Sequence, residues 1–255
     1  MLEVINLCSG YPGRDVLRDF SMTAAPGQIT AIVGPNGCGK TTLLKSLCGI
    51  LQPKNGSVLL DDEDILALPP RLLAQKMAYL SQGRQVPELT AFRLVLHGRF
   101  PYLHYPRRYG KEDLAIAREA MEQLNIWDLA DTPLSRLSGG QRQKVYIAMA
   151  LTQQTPVILL DEPTTYLDIS HQLQTLALAR SLADRGKTVL MVIHDLPHAL
   201  QMADQVILMA HGTVAAKGSP EELFRDGQIE KIFGIRLGRF QTDSGLQYYC
   251  QEGNL

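Results

Sequence analysis

The sequence predicts an α/β fold in which a mostly parallel sheet carries an antiparallel β edge and is interrupted by an inserted helical subdomain. Three observations lead there. Short apolar, β-branched runs recur along the chain, a glycine-rich loop joins one of them to a helical stretch, and a long middle region lacks such runs. Runs this short, bounded by turn residues, suit strands buried on both faces of a parallel sheet.

Taken in order, residues 1–7 and 56–60 read as strands of the antiparallel edge, and residues 29–33 form the first strand of the parallel core. Residues 77–81 are a strand leading into the inserted lobe. From 86 to 153 no comparable run occurs, while 111–124 and 140–152 place apolar residues at helical spacing. Within that lobe, residues 100–110 are aromatic, basic and punctuated by prolines, which predicts a loop. Core strands return at 157–160, 189–193 and 206–209, and a helix is expected at 220–224. The expected organisation is one domain over 1–225, with an α/β core at 1–85 and 154–225 and the helical subdomain at 86–153; the tail at 226–255 receives no assignment.

Composition narrows the function classes. With 255 residues, 45% of them hydrophobic, the chain can bury a substantial core. A formal net charge of −1 argues against a surface built to neutralise a polynucleotide, so no nucleic-acid partner is expected. The first residues lack the basic start and apolar stretch of a secretory signal, and the longest apolar runs fall far short of the roughly 20 residues that cross a bilayer. The expected location is therefore cytoplasmic. Cys8, Cys38, Cys48 and Cys250 have neither paired spacing nor a histidine cluster, which predicts free thiols.

The chemistry begins at Gly34-Pro35-Asn36-Gly37-Cys38-Gly39-Lys40-Thr41-Thr42, directly after the strand at 29–33 and before Leu43, Leu44 and Leu47 at helical spacing. Strand, glycine-rich loop and helix are the context of a phosphate loop (P-loop) and predict a P-loop NTPase core. Backbone amides turn inward as an anion nest, the helix start adds its positive end, and Lys40 reaches the β- and γ-phosphates. Thr41 is expected to place its hydroxyl on Mg²⁺. A second acidic strand ends at Asp161-Glu162: Asp161 can orient Mg²⁺ and Glu162 can polarise the attacking water. His194 follows a core strand near where the γ-phosphate should lie, and Gln82 follows the strand at 77–81, where its amide can touch Mg²⁺ or the attacking water.

Leu137-Ser138-Gly139-Gly140-Gln141 reads first as a capping box, with Ser138 as N-cap and Gln141 reaching back. Each helical glycine costs about 0.8–1 kcal/mol relative to alanine, so Gly139-Gly140 implies a surface that must approach closely. A helix start of this kind is a second anion site on the same chain. Two copies arranged head to tail could each complete the other's nucleotide site.

Together these motifs resemble the nucleotide-binding subunit of an ATP-binding cassette (ABC) transporter, over about residues 1–225. The resemblance implies ATP as nucleotide, Tyr11 as the aromatic that stacks on adenine, and Asp168 as a dimer contact. It also implies Lys40 on phosphate, Thr41, Gln82 and Asp161 at the metal, Ser138 as signature serine, Glu162 as general base and His194 as γ-phosphate switch. The stretch from Asp161 to Gln172, with His97-Gly98-Arg99-Phe100-Pro101-Tyr102, is similar to importers of the iron–siderophore, haem and cobalamin type. That similarity implies a self-dimer, two transmembrane permease subunits, an extracytoplasmic substrate-binding protein and a peripheral place on the cytoplasmic face of the membrane. The chain departs from the pattern at 82–85 and 91–93, where a membrane subunit is expected to dock.

Arg84, Arg93, Arg99, Arg107, Arg108 and Lys111 make that stretch basic, either as a solvated face or as a grip on a cytoplasmic helix of the permease. Cys38, placed among backbone amides, is expected to block nucleotide binding when alkylated. An exporter ATPase, a soluble ABC-type ATPase acting on nucleic acid or ribosomes, and a kinase using the same loop remain alternatives at this level.

Overall fold

The computed structural model describes residues 1–81, 86–165, 167–243 and 245–253. A hairpin opens the chain, β1 (Leu2–Tyr11) and β2 (Arg14–Ala24), turning at Pro12-Gly13. Next come β3 (Ile29–Val33), α1 (Lys40–Leu47), β4 (Asn55–Leu60) and the two-residue β5 (Glu63–Asp64). Then α2 (Pro70–Lys76) and β6 (Met77–Leu80) precede three helices, α3 (Ala91–Leu96), α4 (Lys111–Gln123) and α5 (Gly139–Thr152). The chain then alternates β7 (Val157–Asp161), α6 (Ile169–Asp184), β8 (Thr188–Val192), α7 (Leu196–Met202) and β9 (Gln205–Ala210). It ends with β10 (Thr213–Gly218), α8 (Pro220–Asp226), α9 (Gln228–Phe233) and a hairpin of β11 (Ile235–Thr242) and β12 (Gly245–Glu252).

The central sheet has the order β10-β9-β3-β8-β7-β6, parallel throughout except at β10. β1 and β4, read from the sequence as an edge, lie in a separate antiparallel sheet of order β2-β1-β4-β5. The reason is β2, which occupies the other side of β1. Irregular register between β1 and β2 breaks the two-residue alternation that makes a strand legible.

Strand periodicity decides which layer each core residue joins. Ile32, Leu159, Leu190, Val192, Ile207 and Met209 face α1 and the antiparallel sheet, whereas Ala31, Ile158, Val189, Met191, Val206 and Leu208 face the helices on the other side. Every residue of β3, β7 and β8 is buried, so these strands read as continuous apolar runs rather than alternating ones. In α4, Ala117, Ala120 and Met121 form the buried stripe that packs against α5.

Residues 97–102 form a 3-10 turn before the irregular segment at 103–110, so the expected loop starts a few residues late. Arg99 corrects the reading of a wholly exposed basic face. It is only 6% exposed, donates from Nε to Asp113 Oδ1 at 2.9 Å, and lies over the Tyr102 ring. A buried guanidinium needs such partners and cannot also grip a permease. Arg84 lies outside the described residues. The tail, unassigned from sequence, folds as α9 and a hairpin whose Leu237 and Tyr248 join the large core cluster.

Candidate nucleotide site

β3 delivers the chain into the loop, and Gly39 at φ 111° turns it into α1, a backbone conformation that L side chains rarely adopt. No side chain caps this helix start. Lys40 lies almost buried, with Nζ donating to the carbonyls of Gly34 at 2.7 Å and Pro35 at 3.1 Å. The lysine is thereby held across the loop mouth by weak neutral partners that an anion can replace.

Cys38 is less accessible than its place among backbone amides suggests. Its thiol is buried, packs within the apolar core and is pushed up from its ordinary pKa by that burial. A thiol so placed is a poor nucleophile, so alkylation of the folded chain is expected to be slow. Cys48 is pushed further, to about 11, by its own burial.

At the end of β7 the Asp161 carboxylate is 2% exposed and accepts hydrogen bonds from Thr41 Oγ1 at 3.3 Å and Tyr79 Oη at 3.0 Å. Burial raises its pKa, and the two hydroxyls only partly oppose the shift. A desolvated carboxylate met by neutral hydroxyls is the oxygen-donor chemistry of a hard divalent cation, so Thr41 and Asp161 fit Mg²⁺. Glu162 sits at φ 50°, an uncommon conformation for a non-glycine residue, and its amide bonds the Val192 carbonyl. Its carboxylate pairs with His194 Nε2 and accepts from Thr165 Oγ1 at 3.3 Å.

Tyr11, Asn36, Gly37, Gly39 to Thr42, Glu162 and His194 together line one open cleft of about 250 Å³. Tyr11 stands at the end of β1, 43% exposed at the cleft rim. Ser138, Gly139, Gly140, Gln141 and Asp168 do not line it. Ser138 caps α5 by accepting the Gln141 amide at 3.2 Å, and Gln141 Oε1 accepts the Ser138 amide at 3.0 Å. One amide of that helix start is thus already occupied. Nothing lies within 4 Å of where a Gly139 side chain would begin. Asp168 caps α6 through the His171 amide, which with the His171 ring holds its carboxyl below the ordinary value. Gln82 lies outside the described residues.

A family model described as ABC transporter matches residues 17–165, from β2 through the segment after Glu162. The chain belongs to the ABC transporter family. It is an ATP-binding, ATP-hydrolysing ABC subunit. It is 41% identical over 236 residues to the iron(3+)-hydroxamate import ATP-binding protein FhuC of Bacillus subtilis (strain 168), covering 92% of this chain and 88% of that protein. Among solved structures it resembles a chain from a metal-chelate type ABC transporter in an inward-facing conformation, with TM-score 0.84, 26% identity and coverage of 98% and 96% of the two chains. It also resembles a dimeric ATP-binding cassette in a post-hydrolysis state bound to ADP and phosphate, with TM-score 0.75, 27% identity and coverage of 86% and 99%.

Two site-side contacts of this ABC subunit escaped the sequence reading. Tyr79 meets Asp161 from a strand 82 positions away, because β6 and β7 pair in parallel register. His171 stands against Gly140 across two helices. Only the Asp168 and His171 spacing, three apart at a helix start, offered a signal in the sequence.

Proposed function

We propose that two copies of this ABC subunit close head to tail around ATP, and that hydrolysis energises import of an iron–siderophore-type metal chelate. The observation that carries the dimer is the division of motifs. The cleft gathers Tyr11, Asn36, Gly37, Gly39 to Thr42, Glu162 and His194 but leaves Ser138–Gln141 and Asp168 on other surfaces. A partner chain related by a two-fold axis supplies the missing half.

In this reading Tyr11 stacks on adenine, the amides of 34–42 cradle the phosphates, and Lys40 exchanges its carbonyl partners for phosphate oxygens. Thr41, Asp161 and Gln82 would hold Mg²⁺, which neutralises charge on the β- and γ-phosphates when bound. Glu162 orients and polarises the attacking water. His194 keeps the Glu162 carboxylate in place and is positioned to exchange that contact for the γ-phosphate. The partner's copy of Ser138, Gly139, Gly140 and Gln141 closes the far side of the nucleotide, and Asp168 lies at the dimer contact.

The FhuC and metal-chelate transporter likenesses, together with the motifs around Asp161 and His97, support the cargo class. Two transmembrane permease subunits and an extracytoplasmic binding protein complete the importer. No helix among the described residues is long and apolar enough to cross a membrane, which suits a subunit held peripherally on the cytoplasmic face by those permeases.

The test is light scattering of the Glu162→Gln chain in excess Mg-ATP. A dimer is expected, with turnover reduced roughly 10²–10⁴-fold, the usual contribution of general-base assistance. A chain that stays monomeric under those conditions sinks the reading. Copurification with the permease pair, followed by ligand screening of its binding protein, tests the cargo.

A further inference from the structure

Behind the first turn of α5 lies the His171 ring. A methyl group added at Gly140 would stand 2.0 Å from its Cδ2 and 2.3 Å from its Nε2, whereas one added at Gly139 would meet nothing. A side chain at 140 would therefore push the ring aside, so Gly140 leaves room for the chain's own histidine in addition to anything that approaches from outside. The other side of that ring is fixed. His171 Nδ1 lies 2.7 Å from Asp168 Oδ2, and the His171 amide donates to Asp168 Oδ1 at 2.9 Å. A second tie runs nearby, since Gln143 Nε2, also on α5, donates to the Pro163 carbonyl at 3.1 Å. The start of α5 thus meets the residues after β7 twice, by close packing of Gly140 on the His171 ring beside Asp168 and by the hydrogen bond from Gln143 to Pro163.

We propose that His171 is a positioning residue that locks the Ser138–Gln141 turn to Asp168 within one chain. The half-site a chain offers its partner then moves as one body with the acidic segment beside its own nucleotide. This deepens the dimer reading and rests on it. A histidine that only filled core space would affect melting temperature and leave turnover alone.

The experiment compares full-length Gly140→Ala, His171→Ala and the double variant for steady-state ATPase, ATP affinity of the isolated chain and melting temperature. His171→Ala is expected to lower kcat about tenfold, the scale of coupling within one contact network, without moving ATP affinity or melting temperature. Gly140→Ala is expected to fall further, because its methyl group displaces the ring. In the double variant the obstructing ring is gone, and kcat rises above the Gly140→Ala level toward that of His171→Ala. A double variant as inactive as Gly140→Ala overturns the proposal, because displacement of the ring is then no part of what the added methyl group does. So does a His171→Ala chain with wild-type kcat, a result that does not depend on Gly140→Ala folding. If Glu162→Gln still dimerises while either result is seen, the role of His171 alone is lost and the dimer reading stands.

Discussion

Two glycine-bearing turns start helices in this chain, one before α1 and one before α5, and they are finished in different ways. At Gly39 no side chain caps the helix, the amides face a cleft, and Lys40 waits there on two backbone carbonyls. At Ser138 the helix caps itself through a reciprocal box, and Gly139 is exposed, with no atom from outside its own helix turn near it among the described residues. The first turn presents amides and a lysine to that cleft. The second is a surface made ready for something the chain does not itself contain. Sequence alone treats both as anion-binding helix starts, and the hydrogen bonds separate them.

Variants at each turn should separate them further. The largest effect is expected from Gly139→Glu, which places a carboxylate where a partner's phosphates approach. Like-charge juxtaposition across an interface costs several kcal/mol, so ATPase turnover should drop about 100-fold or more. Binding of ATP to the isolated chain, measured by fluorescence titration, should stay within about twofold, since Gly139 is not part of the cleft. Equal loss of binding in the monomer would erase the distinction between the two turns.

Lys40→Ala should act in the opposite sense. Hydrogen bonds to charged groups contribute ~1.5–3 kcal/mol, which predicts ATP binding to the monomer weaker by about 10- to 100-fold. Wild-type affinity in that titration would remove Lys40 from the phosphates.

The smallest effect concerns Asp161 and is read as stability. Its folded pKa is raised by burial, so its contribution favours folding below the unfolded carboxylate range and is lost as pH rises through the shifted value. Once the carboxyl ionises, the buried charge costs stability until a cation joins it. Asp161→Asn without Mg²⁺ should melt at the same temperature or higher at pH 7.5, by roughly 2–4 °C per kcal/mol relieved. It should also lose the Mg²⁺-dependent part of the rise that ATP gives the wild type. A lower melting temperature in the metal-free variant would contradict this account of the carboxylate.

Much of the architecture was legible because its signals are local. The fully buried strands at 29–33, 157–161 and 188–192 are apolar apart from Thr30, Asp161 and Thr188, and the phosphate loop follows the first without a gap. Signals failed where the period is broken or the partner is remote. β2 is bulged against β1, and among its described residues the terminal hairpin has only Leu237 and Tyr248 as buried side chains to announce it. Arg99 reads as one more surface cation until Asp113, Thr152 and Gln154 are found around it.

Residue order by itself determined the chemistry on offer: a loop of amides with a lysine, a carboxylate pair ending a strand, and a capped helix start with two glycines. These depend on neighbours a few positions apart, whose geometry follows from backbone dihedrals and strand or helix period. Only the tertiary structure decided which of them share a cleft, that Cys38 turns inward, that Tyr79 reaches Asp161, and that His171 fills the space behind Gly140. Those facts come from strand order and helix packing, which bring together side chains far apart in the chain.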